Sequence, residues 1–253
     1  MPLVSTPAIV LATLRYGETS KIVRLATRDH GVQSAIAKGA LRPKSRFGAS
    51  LQVLSAGQAQ LILSERRDLH LLTAFDLGVL PVRITRDVGR YATATVLAEV
   101  TIHFAPAEPH PESFSVLEQG LARLESVSRE ELPAASLQEV WRLVAALGFA
   151  PALEVCTRDG RAIAEEGSLP FSASEGGALC GVCAGGVEAT VLPPDARAAL
   201  VQLLSAENDL PLLDARNAAA HRRLVARYIR YHMAEGAALP ALEFWLSRAW
   251  GPA

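Results

Sequence analysis

Cysteine is scarce in this chain: Cys156, Cys180 and Cys183 are the only three in 253 residues. They are too few and too unevenly spread for a secreted disulfide framework, so a reducing, cytoplasmic setting is expected. Long apolar runs are also missing. No window approaches the roughly 18 uninterrupted apolar residues of a membrane span, and the opening "MPLVSTPAIVLATLRYGE" lacks the basic segment of a signal peptide. There is no G-x4-G-K-[ST] phosphate loop, no G-x-S-x-G and no isolated pair of carboxylates, so nothing argues for covalent chemistry. Lysine is confined to Lys21, Lys38 and Lys44, and no Asp or Glu occurs between Asp29 and Glu65.

Those last two scarcities coincide. The formal net charge is only -1, yet residues 1–80 carry ten Lys or Arg against five Asp or Glu, and the remainder is acidic. A polyanion would therefore meet the front of the chain. The densest stretch is "AIAKGALRPKSRFGASLQ", which groups Lys38, Arg42, Lys44 and Arg46 around Gly39 and Pro43. The plainer reading is a solvated turn. The functional reading adds Lys21 and Arg24 from a neighbouring strand, with Tyr16 and Phe47 as candidate stacking rings, because non-specific single-strand binding uses cations and base stacking.

The first eighty residues alternate with period two in five blocks: "AIVLATLRYGE", "SKIVRLATRD", "GVQSAIAKG", "LQVLSAGQAQLILSE" and "DLHLLTAFDL". Turn signals separate them at Gly17, "DHG" and "RRD". Five short strands with one long basic connection between the third and fourth predict a small closed barrel of the OB-fold kind over residues 1–80. From residue 81 to 253 the period becomes helical. Helices are expected in "ITRDVGRYATATVLAEVTIHFA", "SFSVLEQGLARLESV" and "SLQEVWRLVAALGFA", with Ser or Thr near their starts and Gly148 near the end of the third. They resume in "PPDARAALVQLLSA", "ARNAAAHRRLVARYIRYHMAEG" and "ALEFWLSRAW", with Trp141, Trp245 and Trp250 as core. The class is α+β, a barrel followed by a helical domain that carries an irregular insertion at about 152–190.

That insertion contains "CTRD" at 156–159 and "CGVC" at 180–183. Two tight corners of this spacing place four ligands tetrahedrally, so Cys156, Asp159, Cys180 and Cys183 are candidates for one structural zinc, with a carboxylate as the fourth donor. The alternative is a relic knuckle that folds by packing alone. His110 and Glu112 with the "CGVC" pair imitate a zinc deaminase signature, but Leu179 stands where proline is expected and the motif sits in a proline-rich loop. Near the C-terminus Arg223, Arg227 and Arg230 share one helix face beside Leu224, Tyr228 and Tyr231, either as solvated surface or as a site for an acidic partner.

The run Lys38 to Phe47, K-G-x-x-x-x-K-S-R-F, the block "FSASEGGALCGVC" and the helix "RYIRYHM" together resemble the bacterial RecO family of recombination mediators, over essentially the whole chain. The resemblance implies a non-enzymatic, cytoplasmic, nucleoid-associated protein of recombinational DNA repair. Such a protein binds single- and double-stranded DNA, anneals complementary strands and, with RecR, helps load recombinase onto DNA coated by single-strand-binding protein. It also implies that Cys156, Cys180 and Cys183 match the family's zinc cysteines, with Asp159 in place of the fourth. The acidic C-terminal tail of single-strand-binding protein becomes the candidate partner for the arginine face. Two rival readings keep the barrel but change its ligand: an adaptor that binds an acidic protein tail, or an RNA-binding protein.

Overall fold

A computed structural model of the chain describes residues 2–64, 68–205, 207–234 and 236–247. The "RRD" turn in part and Trp250 lie outside the described residues. The chain divides into two compact units, Met1–Ser126 and Val127–Ala253.

In the first unit, β1 (Leu3–Tyr16), β2 (Ser20–Thr27), β3 (Gly31–Ala37), β4 (Ala56–Ile62) and β5 (Leu69–Val79) close a barrel in the order β1-β2-β3-β5-β4. Closure depends on the length of β1. Its first half pairs with β4 and its second half with β2, and a bulge between Val10 and Ala12 bends it from one partner to the other. A parallel pairing of β3 with β5 shuts the remaining gap. Alternation then sends Val10, Val23, Leu25, Leu61 and Leu72 inward, each essentially inaccessible.

The fourth strand starts five residues later than its sequence suggests. Leu54 adopts a positive φ of 71°, outside the strand region, and is held there by its N–H on the Val10 carbonyl at 2.7 Å. Leu51 and Leu54 are buried as loop anchors instead of strand residues.

Three helices complete this unit: α1 (Val82–Arg86), α2 (Val88–Phe104) and α3 (Pro111–Ser126). The single helix expected from residue 84 is broken at Asp87. That residue is extended, and its carboxylate accepts the Arg90 N–H at 3.0 Å, a cap that favours a fresh helix start. The first turn of α1 is satisfied by the Glu125 carboxylate, which accepts from the N–H groups of Arg83 and Ile84 at 2.6 and 2.9 Å. Gly31, with φ of 67°, lies so close to the Ala107–Glu108 backbone that any side chain there would collide with it.

The second unit contains α4 (Leu132–Ala146), then a small sheet, β6 (Leu169–Ser172), β7 (Gly177–Ala178) and, after α5 (Gly181–Ala184), β8 (Thr190–Leu192) in the order β7-β6-β8. It ends with α6 (Pro194–Leu204), α7 (Ala215–His232) and α8 (Pro240–Leu246). Gly148 ends α4 as expected: at φ of 91° it lets the Phe149 N–H reach the Val144 carbonyl at 3.0 Å and its own N–H reach that of Ala145 at 2.9 Å. α3 and α4 begin two and four residues before the serines that mark their starts in the sequence. Ser113 and Ser136 lie inside their helices, and Asp214 caps α7 through the Asn217 N–H. Trp141 and Trp245 are fully buried, with Tyr228 edge-on to Trp141 at 5.3 Å.

Candidate nucleic-acid interface and metal centre

The basic connection between β3 and β4 is a chain of tight turns rather than a slack loop. Successive backbone bonds Arg42 to Gly39, Ser45 to Arg42, Gly48 to Ser45 and Ser50 to Phe47 span 2.9–3.2 Å, and the Leu41 N–H ties the segment to the Thr19 carbonyl at 2.8 Å. Lys38, Arg42, Lys44 and Arg46 all project outward and are exposed. None has an acidic partner among the described residues. With no carboxylate among the described residues paired to them, the four cations present an exposed positive surface.

Phe47 does not serve as a stacking ring. It is 2% exposed and packs with Leu51 into the barrel core, leaving only its π-face to Arg46, whose guanidinium lies 5.2 Å from the ring centroid. Its part is to pin the loop. Arg24 is likewise diverted: its Nη2 donates to the Ile102 carbonyl in the last turn of α2 at 3.4 Å, as suits a cation at a helix C-terminus. Lys21 is half-buried and in register with Arg15 and with the buried Ala37, so by alternation it lies on the strand face opposite to Ile36 and Lys38. Tyr16 is 52% exposed and its ring is available. Thr19, Ser20, Ile36, Lys38, Gly39 and Arg42 line an open groove of about 310 Å³. Its signal in the sequence is the alternation of "SAIAKG", which puts Ile36 and Lys38 on one face.

In the second unit Cys156, Asp159, Cys180 and Cys183 converge, with one ligand atom from each within 4.8 Å of all the others. A turn closed by the Gly160 N–H on the Cys156 carbonyl at 2.9 Å supplies the first corner, and the N-terminus of α5, capped by Cys180, supplies the second. Asp159 Oδ1 accepts the Arg161 N–H at 3.1 Å, which fixes the carboxylate so that Oδ2 faces the Cys180 and Cys183 sulfurs, each 3.4 Å away. A tetrahedral zinc with sulfur at about 2.3 Å and oxygen at about 2.0–2.2 Å has S···O edges of roughly 3.5 Å. The donor set fits a closed S3O site.

Charge in this cluster is arranged for a cation. The Arg161 N–H first, and the Cys156 thiol next, hold the Asp159 carboxyl down at about 2. Burial acts to raise Cys156, but backbone N–H groups of Cys180, Asp159 and Arg158 outweigh it and leave the thiol below its usual range. Cys183 is pushed up to about 12, chiefly by its contact with Cys180 and by burial. Ionising the last thiol beside existing negative charge is the step a dication relieves. His110 does other work: its ring accepts the Ser113 N–H at 3.2 Å at the start of α3.

Arg223, Arg227 and Arg230 are exposed along α7, as expected, but two are engaged: Arg227 with Glu188 at 3.0 Å and Arg230 with Glu243 at 2.6 Å. The adjacent apolar face is different from the one the helix period suggested. Tyr228 and Leu224 are buried, and only Tyr231 stands out at 61% exposed. In its place a cavity of about 190 Å³ opens between β8, α6 and α7, lined by Leu192, Ala196, Leu224 and His221 beside Arg223 and Arg227.

The family model for the N-terminal part of recombination protein O matches residues 1–77, and that for its C-terminal part matches residues 85–239. The chain belongs to the recombination protein O family. Curated relatives agree along nearly the full length. A DNA repair protein RecO from Nocardioides sp. is 35% identical over 90% of this chain and 94% of its own. One from Anaeromyxobacter dehalogenans is 33% identical over 92% of each, and one from Streptomyces griseus is 31% identical over 93% and 96%. The two RecO family models meet near the passage from β5 to α1, where the strand pattern gives way to helix. Among the described residues no helix is long and apolar enough to cross a membrane.

Proposed function

We propose that this chain is a DNA-binding recombination mediator of recombinational repair. It would bind single- and double-stranded DNA through the barrel domain of residues 1–80, anneal complementary strands and, with RecR, help load recombinase onto DNA coated by single-strand-binding protein. The observation that carries the reading is the turn-linked connection bearing Lys38, Arg42, Lys44 and Arg46, exposed and, among the described residues, without acidic partners, on a closed five-stranded barrel. Cations held on fixed backbone neutralise phosphates without reading base edges, which is what a sequence-independent annealer needs. The relatives named as DNA repair proteins support the same role. The mechanism is binding and positioning, with no bond made or broken by the protein.

The helical domain of residues 81–253 supplies partners and stability in this reading. The cavity offers apolar walls beside Arg223 and beside Arg227, whose ion pair with Glu188 an acidic tail would displace, the combination that an acidic tail ending in a hydrophobe requires. The acidic C-terminal tail of single-strand-binding protein is the proposed occupant, with Arg230 further along the same helix. One structural zinc would be held by Cys156, Cys180, Cys183 and Asp159, tying the knuckle's two corners together.

A fluorescence assay of annealing between complementary oligonucleotides, bare and coated with single-strand-binding protein, tests the function. Acceleration on both templates, with the coated one dependent on Arg223, Arg227 and Arg230, is expected. Binding of an acidic peptide but of no oligonucleotide at any salt would favour the adaptor role, and competition by RNA as strong as by DNA would move the ligand to RNA.

A further inference from the structure

Charge is laid out along this chain in two opposed segments. No acid occurs between Asp29 and Glu65, whereas Ala162 to Asp214 holds eight Asp or Glu against one cation, Arg197. The second unit gathers four of those acids. Glu165, Glu166, Glu207 and Asp209 rim an open groove of about 860 Å³ beside α6, with Ala198 and the exposed Val201 as apolar lining. All four carboxylates are exposed, and none has a cationic partner among the described residues. Arg197 does not neutralise them: it is buried, and its Nη1 donates to the Glu166 carbonyl at 3.2 Å. The wall of the groove holds a second sign of a missing ligand. Gln138 of α4 is fully buried, and its Nε2 donates to the carbonyls of three groove residues, Gln202, Glu207 and Asp209, at 3.2–3.4 Å. The Oε1 of the same amide has no partner among the described residues. A buried amide oxygen without a donor is costly, and N–H donors are what a lysine or arginine brings.

The occupant must bring several cations on one exposed segment, with some apolar surface for Val201. The connection between β3 and β4 carries both: Lys38, Arg42, Lys44 and Arg46, and among them the exposed Leu41. Four cations without acidic partners thus match four carboxylates without cationic ones, on two different units of the same chain. We infer that the acidic groove receives the basic connection of a second copy of this chain. The contact joins two unlike surfaces, so copies add head to tail or close as a reciprocal pair. Its strength is electrostatic and falls with salt. The same four cations are the proposed phosphate contacts, so a DNA strand and the groove compete for them. Free protein then keeps its basic connection covered, and DNA releases one copy from the next.

The self-association stands on the groove and the connection alone; only its displacement by DNA rests on the proposed function, and the test separates the two. Sedimentation velocity of the full chain is the assay. One variant reverses the groove, with Glu165→Lys, Glu166→Lys, Glu207→Lys and Asp209→Lys; the other reverses the connection, with Lys38→Glu, Arg42→Glu, Lys44→Glu and Arg46→Glu. Wild type is expected to gain mass as its concentration rises to about 100 μM in about 50 mM salt, and to sediment as one chain in about 500 mM. Each variant alone should associate at least about tenfold more weakly. An equimolar mixture of the two should return to within about threefold of wild type, because the intact connection of one meets the intact groove of the other. Misfolded variants could not give that rescue. A mixed-sequence single-stranded oligonucleotide should dissociate the wild-type complexes. Wild type that stays a single chain at low salt overturns the inference, even if its groove captures a labelled oligolysine, since the occupant is then another basic protein. Association unchanged in both variants, or a mixture no stronger than its components, overturns it as well. If the copies associate but no oligonucleotide binds, the inference holds and the proposed function falls.

Discussion

Replacing Lys38, Arg42, Lys44 and Arg46 together by Ala isolates the electrostatic part of DNA binding. All four side chains are exposed and, among the described residues, free of acidic partners, so each can neutralise one phosphate. On single strands each such contact contributes about 0.7 to the slope of log affinity against log salt, so four contribute about 2.8. Between 50 and 200 mM salt, a slope of that size corresponds to about a fifty-fold loss of affinity that the wild type suffers and the variant does not. Truncation leaves the supporting structure in place, because the loop is held by backbone turns and by Phe47 and Leu51 in the core. Anisotropy titrations across a salt series, on several unrelated sequences, read the slope directly. The expected result is a slope shallower by about three units, with a similar loss on every sequence. A slope equal to that of the wild type would falsify the assignment of these residues to phosphates, and a loss confined to one sequence would show base readout instead.

Phe47→Ala should destabilise the chain by about 3–5 kcal/mol, the usual cost of emptying a buried phenylalanine site, and weaken DNA binding although every cation remains. Chemical denaturation alongside the anisotropy assay checks it, and a change under 1 kcal/mol refutes the anchoring role. Asp159→Cys should slow zinc loss to a chelator, since a fourth thiolate suits a closed site. Elemental analysis finding no zinc in wild type and none in the variant would leave a knuckle that folds by packing. His221 is 2% exposed with neither ring nitrogen partnered among the described residues, so His221→Leu should stabilise by about 1 kcal/mol and raise the melting temperature by about 2–4 °C at pH 7. Burial lowers the His221 pKa below 6.5, and that of His70 moves the same way for the same first reason. The unfolded chain then takes up protons the folded chain resists, so wild-type stability should fall as pH drops from about 6.5 through the lowered values. His221→Leu should flatten part of that fall, and a pH profile parallel to wild type argues against it.

The five strands, the helical remainder and the metal-ligand cluster were legible because each depends on local pattern. Period two marks a half-buried strand, period 3.6 an amphipathic helix, and paired short spacings mark ligands on tight corners. The same local logic could not tell which side of the chain a loop residue takes. Phe47 reads as a ring beside cations, yet the core claims it, where it packs in one buried cluster with Leu51 from the same connection and with Phe75 and other strand residues. Arg24 reads as a cation of the basic strand, and only the fold shows that its Nη2 also donates to the Ile102 carbonyl at the C-terminal end of α2, a partner 78 residues away. Tyr228 lies on the face beside the arginines by helix period, but whether that face is solvent or core depends on Trp141 and Phe171 arriving from other elements. The acidic groove was hidden most completely. Its carboxylates come from segments far apart in sequence, and only the hold of Arg197 on the Glu166 carbonyl and of Gln138 on those of Glu207 and Asp209 brings them to one rim. Periodicity is a property of one segment and can be read from it; register and burial are relations between segments, and only tertiary structure sets them.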